Sequence, residues 1–434
     1  FYRVAIRPKG NTSLTSIAND PTTDRYSFKL EFDHYVDGQT CFGLDKLILN
    51  NNYADATNMK EALIYDMYQY LGADASLYNY AKVSVNGEYW GVYLALEAVE
   101  DSFLLRNYGT ENGALYKPDS MNIGGGKDFD DFNADDIDFG DLDLDNLLRY
   151  MAVHVFSVNE DSLSGSMAHN YYLYEAGGKL NLIPWDYNLA LGGMGRSNDA
   201  TSVVNSAIDN AFSGTTFFDT LMADETCHSR YYAYLQQLVN EYIGGGGFDA
   251  FYERVRSQID TLVETDPTAF YSYDEYLTAV DTLYQVVKLR GQSIQGQLDG
   301  SIPSTEEAQR SSDALVDAST LDISVMGSMN TGGGGGGFGF NAPTASENTS
   351  DTPDAAQDTS ETQTAPDGFA EPGNTPSSDF DPSQFDGEMP DGFDASQFGD
   401  KPPSGFDSSQ FVGGSQDASG NTQQTAEDTQ SGGD

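Results

Sequence analysis

Apolar and polar positions alternate with period two in several short runs near the start of the chain, and with helical period further on. In Arg25–Phe32, Tyr26, Phe28, Leu30 and Phe32 fall on one face and Arg25, Ser27, Lys29 and Glu31 on the other, which predicts a strand. Residues 80–96 alternate around Asn86-Gly87, a two-residue hairpin turn. Leu63, Met67 and Leu71 recur at helical spacing before Gly72, so 58–71 is predicted helical. Residues 1–120 therefore read as a mostly β lobe with one helix.

The second stretch reads differently. A helix is predicted from Leu144 to about Val158, then a hairpin from 170–175 and 179–183 around Glu175-Ala-Gly-Gly178. Helices follow at 229–243, 248–263 and 273–297, the first with Tyr231, Leu235, Leu238, Val239 and Tyr242 in one stripe. Between the two stretches, 121–146 is a Gly- and Asp-rich insert with nine Asp from Asp128 to Asp145. It lacks an EF-hand register and reads as a solvated loop, with calcium binding the alternative. Residues 301–340 read as a linker, and 341–434 as an acidic tail without aliphatic clusters, expected to be disordered. The tail repeats Phe-Asp-x-Ser-Gln-Phe every 13 residues, at Phe380, Phe393 and Phe406, placing Ser383, Ser396 and Ser409 in one frame. A spacer explains this repeat; a substrate-like segment is the sharper reading.

The net charge of −47 over 434 residues argues against nucleic-acid binding, which needs clustered Lys and Arg. The tail carries 19 acids and one base (net −18), so −29 remains on residues 1–340 and the folded part is acidic too. Acidic surfaces suit solubility and a basic partner. No run of 18 apolar residues predicts a membrane span. Cys41 and Cys227, far apart in sequence, leave room for one disulfide but form no disulfide framework, and the four histidines show no zinc spacing. The chain opens inside a strand, so a signal peptide or upstream strands are expected to be missing.

Chemistry concentrates around the second hairpin. Asn159-Glu160-Asp161 supplies a carboxylate, Asn170 an amide, and Pro184-Trp185-Asp186-Tyr187-Asn188 a second carboxylate at a strand exit. Protein kinases lay out base, metal-binding Asn and metal-binding Asp in that order, so the chain points to Mg-dependent phosphoryl transfer.

The sequence also resembles the spore coat protein H (CotH) kinases, secreted atypical kinases of bacteria. The resemblance rests on Arg7–Ser13, Arg25–Phe32, Gly43–Asn51, Val85–Tyr93, Leu115–Pro118 and the Pro184–Asn188 block, in family order over roughly residues 1–300. It implies an α+β, two-lobed, atypical protein-kinase-like fold. Residues 1–120 would be the nucleotide-covering lobe, 147–300 the catalytic helical lobe, and 341–434 a disordered tail.

The resemblance gives Asp186 the metal-binding Asp role and Asp161 the catalytic-loop Asp role, as base or second metal ligand. Asn170 would complete the metal shell, with Asn159 a second candidate. A turn-capping Asp186 and a helix-capping Asp161 are the structural alternatives. Lys29 is the expected phosphate lysine and matches the family's second lysine in K-x-x-x-K, with Arg25 at the first position. Arg7 and Lys9 flank a turn, Gly10–Ser13, that could serve in place of a Gly-rich loop. Glu61 is the expected partner of Lys29, unless a capping box from Asn58 occupies it. Glu97 would receive the adenine amino group or ribose hydroxyl, a buried paired Glu being the alternative. The implied cofactors are ATP and Mg²⁺, with Mn²⁺ as a substitute. The implied partner is a protein with Ser/Thr-rich segments, the chain's own tail included, and the implied location is extracellular, at the cell or spore surface. A catalytically inactive coat scaffold and an AMP transferase are the competing readings.

Overall fold

The computed structural model describes residues 1–110, 112–117, 139–165, 169–194, 199–212, 216–330 and 339–340. Most of the Asp-rich insert, the tail and its repeat serines lie outside these residues.

Five antiparallel strands form the first lobe: β1 (Ala5–Lys9), β2 (Ser27–Glu31), β3 (Lys46–Asn50), β4 (Tyr78–Val85) and β5 (Glu88–Glu97), in the order β1-β2-β3-β5-β4. The β4–β5 turn has positive φ at Asn86 and Gly87, which Asn-Gly tolerates and most pairs do not. Sheet register puts Arg7, Lys29, Ile48 and Leu96 in one row, and Lys9 opposite Ser27 in the next. On that face α2 (Lys60–Leu71) packs with Ile48, Leu94 and Leu96 in the main core. The opposite face carries a smaller core of Leu30, Phe32, Cys41, Leu49 and Tyr93. The apolar face of β2 thus points outward into its own small core, and its charged face points toward α2.

Two further helices occur in this lobe beyond the one expected, α1 (Thr12–Ala18) and α3 (Asp101–Tyr108). Strand β6 (Ala114–Tyr116) pairs instead with the second lobe, in a three-stranded sheet β6-β7-β8 with β7 (Tyr171–Ala176) and β8 (Lys179–Pro184). The first lobe therefore ends before residue 114 rather than at 120. Helix α4 (Leu144–Ser157) lies under this small sheet and against α2, so one continuous core joins the lobes. Helices α5 (Ala200–Val204), α6 (Thr216–Ala223), α7 (Glu225–Gln237, extended by a π-helical turn to Ile243), α8 (Gly247–Glu264) and α9 (Tyr273–Asp299) complete an α+β, two-lobed molecule. Both cysteines are free and buried. Among the described residues, no helix is long and apolar enough to cross a membrane.

The expected linker is corrected. Residues 301–330 pack onto the fold through buried Ile302, Ala318, Ile323 and Met326. Val316, Leu321 and Val325 pack beside them, so the apolar residues between 316 and 326 hold the stretch on the core without following one regular period.

Candidate active site

The site forms where β8 leaves its sheet, facing the N-terminus of α2. Asp186 has φ +61°, in the left-handed region that short polar side chains tolerate best. Its neighbours hold it there. Trp185 is buried against Tyr172, ring centroids 5.5 Å apart, and the buried Tyr187 hydroxyl meets Tyr68 (2.6 Å) and His154 Nδ1 (3.0 Å). Burial holds His154 neutral, pushed down to about 3, so this anchor carries no charge across the physiological range. Asn188 Nδ2 donates to the Tyr53 carbonyl at 2.9 Å, tying the block to the loop before α2.

The loop after α4 supplies the second carboxylate. Asn170 Nδ2 donates to Asp161 Oδ2 and to the Asp161 carbonyl, each at 2.9 Å. Asn159 accepts from the Asp161 N–H (3.2 Å) and donates to the Asp186 carbonyl (3.3 Å), bracing one acid against the other. His169 Nε2 lies 3.6 Å from Asp161 Oδ1. Asp161 is thus engaged by side chains across its loop, and the segment after it through Gly165 is turn rather than helix, so it is no helix cap. Burial, then the charge of Asp186, push the Asp161 carboxyl up to about 8, against the pull of Asn170.

From the first lobe comes a connected chain. Lys9 Nζ donates to Asn50 Oδ1 (2.9 Å), and Asn50 Nδ2 donates to Glu61 Oε2 (2.7 Å). Lys9 also stands 5.0 Å from the centroid of Trp185. Glu61 Oε1 is buried without a hydrogen-bond partner. Burial, then Asp186, push Glu61 up to about 8, opposed by Lys9, Asn50 and the Tyr187 backbone N–H. The capping-box alternative fails: the N-cap is Met59, with no side-chain cap, and Asn58 instead accepts from Asn52.

Three expectations are corrected. Lys29 does not meet Glu61; it contacts Glu100 and lies one row away on the sheet. Lys9 takes the place beside Glu61, because the second row of the sheet, not the first, faces the start of α2. Arg25 is a structural residue, buried and bonded to Asp266, Thr268 and the carbonyls of Asn51 and Val92. Glu97 is the buried paired Glu: it accepts from Arg106 (3.1 and 2.5 Å) and from the Leu77 N–H (3.1 Å), and its side chain is fully buried in this pairing rather than open to a nucleotide. Glu97→Ala should therefore cost about 3 kcal/mol, the range for breaking a buried pair, read as a lower melting temperature with an unchanged nucleotide KM. Arg7 is exposed in the same row of the sheet as Lys29, and Gly10–Ser13 turns into α1.

Asn50, Tyr172 and Lys117 had no assigned role in the sequence. Lys117 Nζ stands 5.4 Å from the Tyr172 ring centroid and 5.9 Å from that of Trp185, so Lys9 and Lys117 both lie against Trp185. Only sheet register and the β6–β7 pairing bring them there. If Lys9 is the functional cation, Lys9→Met should lower kcat/KM for nucleotide by about 10–100-fold, the scale of one charge-stabilising group. Lys29→Met should lower it less; the reverse order would return the role to Lys29.

Among the described residues, no three His, Cys, Asp or Glu side chains cluster as a protein-built metal cage. A Mg²⁺ ion would need no such cage, since it takes one or two carboxylates and keeps its waters. Asp161, Asp186 and the Asn170 amide, with the unpartnered Glu61 oxygen nearby, are the residues that would hold it.

The family pattern described as CotH kinase protein matches residues 6–139 and 140–294. Inner spore coat protein H of Bacillus subtilis (strain 168) is 29% identical, over 36% of this chain and 52% of that protein. The chain thus spans about half the length of this curated relative. The solved complex of the Shewanella oneidensis MR-1 toxin–antitoxin system HipA, HipB and its operator DNA aligns at 12% identity and a TM-score of 0.34, covering 72% of this chain and 75% of that one.

Proposed function

This chain belongs to the CotH kinase family, and we propose that it transfers phosphate from ATP to Ser or Thr hydroxyls of coat or cell-surface proteins, with Mg²⁺. The supporting observation is the convergence of Asp161, Asn170 and Asp186 opposite the Lys9–Asn50–Glu61 chain. Bound Mg²⁺ would neutralise charge on the transferring phosphate. Asp186 and Asn170 would hold it. Lys9 would set a positive charge toward the phosphates while Glu61 fixes α2 beside it. Asp161 would orient the acceptor hydroxyl and take its proton.

A cleft of about 480 Å³ opens beside Glu160, walled by Asp199, Thr201, Ser206, Glu306 and Arg310. It suits the approach of an acceptor segment. Its three acids repel an acidic chain, so the acceptor is better sought in a less acidic protein than in the tail serines Ser383, Ser396 and Ser409. The spore-surface setting rests on the name of the Bacillus relative alone.

Intact-mass spectrometry of acceptor and protein after incubation with ATP and Mg²⁺ tests the reading. Added phosphate on Ser or Thr supports it; added AMP moves the protein to nucleotidyl transfer, and no added mass leaves a scaffold.

A further inference from the structure

The loop feeding α2 is strained. Asn52, Ala54 and Asn58 all have φ between +52° and +60°, three left-handed non-glycine residues within seven. Such backbone persists only where its surroundings over-determine it. Part of that surrounding is the segment after α9. Its Val316 N–H donates to Asn205 Oδ1 and Asn205 Nδ2 donates back to the Val316 carbonyl (3.0 and 2.8 Å), seating it on the second lobe. A short helical turn, Ile323–Met326, then carries it across to the first. There the Met326 carbonyl accepts from the Ala56 N–H (3.0 Å) and the Gly327 carbonyl from Lys60 Nζ (3.2 Å). The Met329 N–H returns to the Gly193 carbonyl (2.7 Å), just past the Asp186 block.

Lys60 is the residue that reads this contact. It is fully buried, the first residue of α2, and adjacent in sequence to Glu61. Its backbone N–H donates to Asp55 Oδ2 (3.0 Å), whose other oxygen accepts from Thr57. Gly327 approaches so closely that a Cβ would stand 2.7 Å from Tyr271 Oη, 2.8 Å from the Ala54 carbonyl and 2.9 Å from the Ala56 nitrogen.

We infer that Lys60 and Gly327 are positioning residues: the 316–329 segment clamps the strained loop and the start of α2, and so sets Glu61 against Asp186. This rests on the proposed phosphotransfer site, but the clamp has a readout of its own. Lys60 and Gly327 do not line the cleft at Glu160, so changes at these two positions act on the transfer step through Glu61 rather than on acceptor binding.

Two full-chain variants test it. Gly327→Ala forces the segment off the loop by the contacts above. The double variant Asp55→Asn/Lys60→Met removes both buried ionisable groups together, and with them the Lys60 Nζ contact to the Gly327 carbonyl and one of the two acceptor oxygens that serve Thr57 and the Lys60 N–H. Amide hydrogen exchange should rise about tenfold at residues 60–64 while residues 144–157 stay protected, as local opening predicts. With a protein acceptor, kcat should fall about 10–100-fold, the scale of a small misplacement, with acceptor KM unchanged. If the 326–329 amides exchange freely while 60–64 and kcat stay as in the parent, the inference is wrong. A uniform rise in exchange across both lobes would also overturn it, showing a general structural role. If Gly327→Ala does not fold, the double variant decides. If the parent chain transfers no phosphate, the proposed function falls, and the exchange pattern still decides the clamp.

Discussion

Asp186→Asn is expected to lower phosphate incorporation by about 10³-fold or more while the melting temperature stays near that of the parent, because a metal-holding carboxylate supplies several kcal/mol at about 1.4 kcal/mol per tenfold. The fold should survive because what anchors this segment is not Asp186. Trp185 is packed on Tyr172, and Tyr187 is bonded to Tyr68 and His154. Asn is the right replacement, since the backbone here is left-handed (φ +61°). Ala would add about 1 kcal/mol of backbone cost and blur the result. The measurement is incorporation by intact mass beside a thermal melt. Parent-level incorporation in Asp186→Asn would remove Asp186 from the metal site.

What could be read from the sequence was what local chemistry fixes. The Asn86-Gly87 turn, the Gly177-Gly178 turn and the periodic run ending at Gly72 each demand a particular backbone, and positive φ occurs at all five residues. The carboxylate–amide–carboxylate order around the β7–β8 hairpin was legible for the same reason: the hairpin itself folds the three groups back together. Partner choice across the sheet was not. Alternation shows that Lys29 and Arg7 share a face of their strands, but not which row of that face meets α2. That depends on pairing with β3, whose Asn50 carries no signal of its own and yet joins Lys9 to Glu61. Glu97 failed as a nucleotide contact for a related reason. Its partner, Arg106, sits on α3, a helix too short to announce itself by periodicity. Residues 301–330 read as linker because their apolar residues follow no helical or strand period, although Ala318 and Met326 are almost fully buried.

Asp161→Asn is expected to lower the transfer rate by about 10²–10⁴-fold, the usual worth of a general base, and to flatten a pH dependence of stability. In the protein alone, burial and the charge of Asp186 push both Asp161 and Glu61 to about 8. Unfolded, these carboxyls titrate near 4. The folded state therefore holds protons that the unfolded chain has released. The sign follows: this contribution to stability is fully present below about pH 4 and is lost as pH rises through about 8. Without divalent cation, the melting temperature should fall between pH 5 and pH 9 by at least about 3 °C. A bound cation favours the ionised carboxylates, so Mg²⁺ should restore stability most at the alkaline end, and its binding should release protons near pH 7. In Asp161→Asn only the Glu61 share of the pH dependence should remain, and the gain from Mg²⁺ should shrink with it. Melts at pH 5, 7 and 9, with and without Mg²⁺, distinguish the outcomes. A melting temperature that ignores both pH and cation in the parent would mean that these carboxyls do not share one site. The rate in Asp161→Asn completes the test, since a merely bracing carboxylate would lose stability without losing transfer.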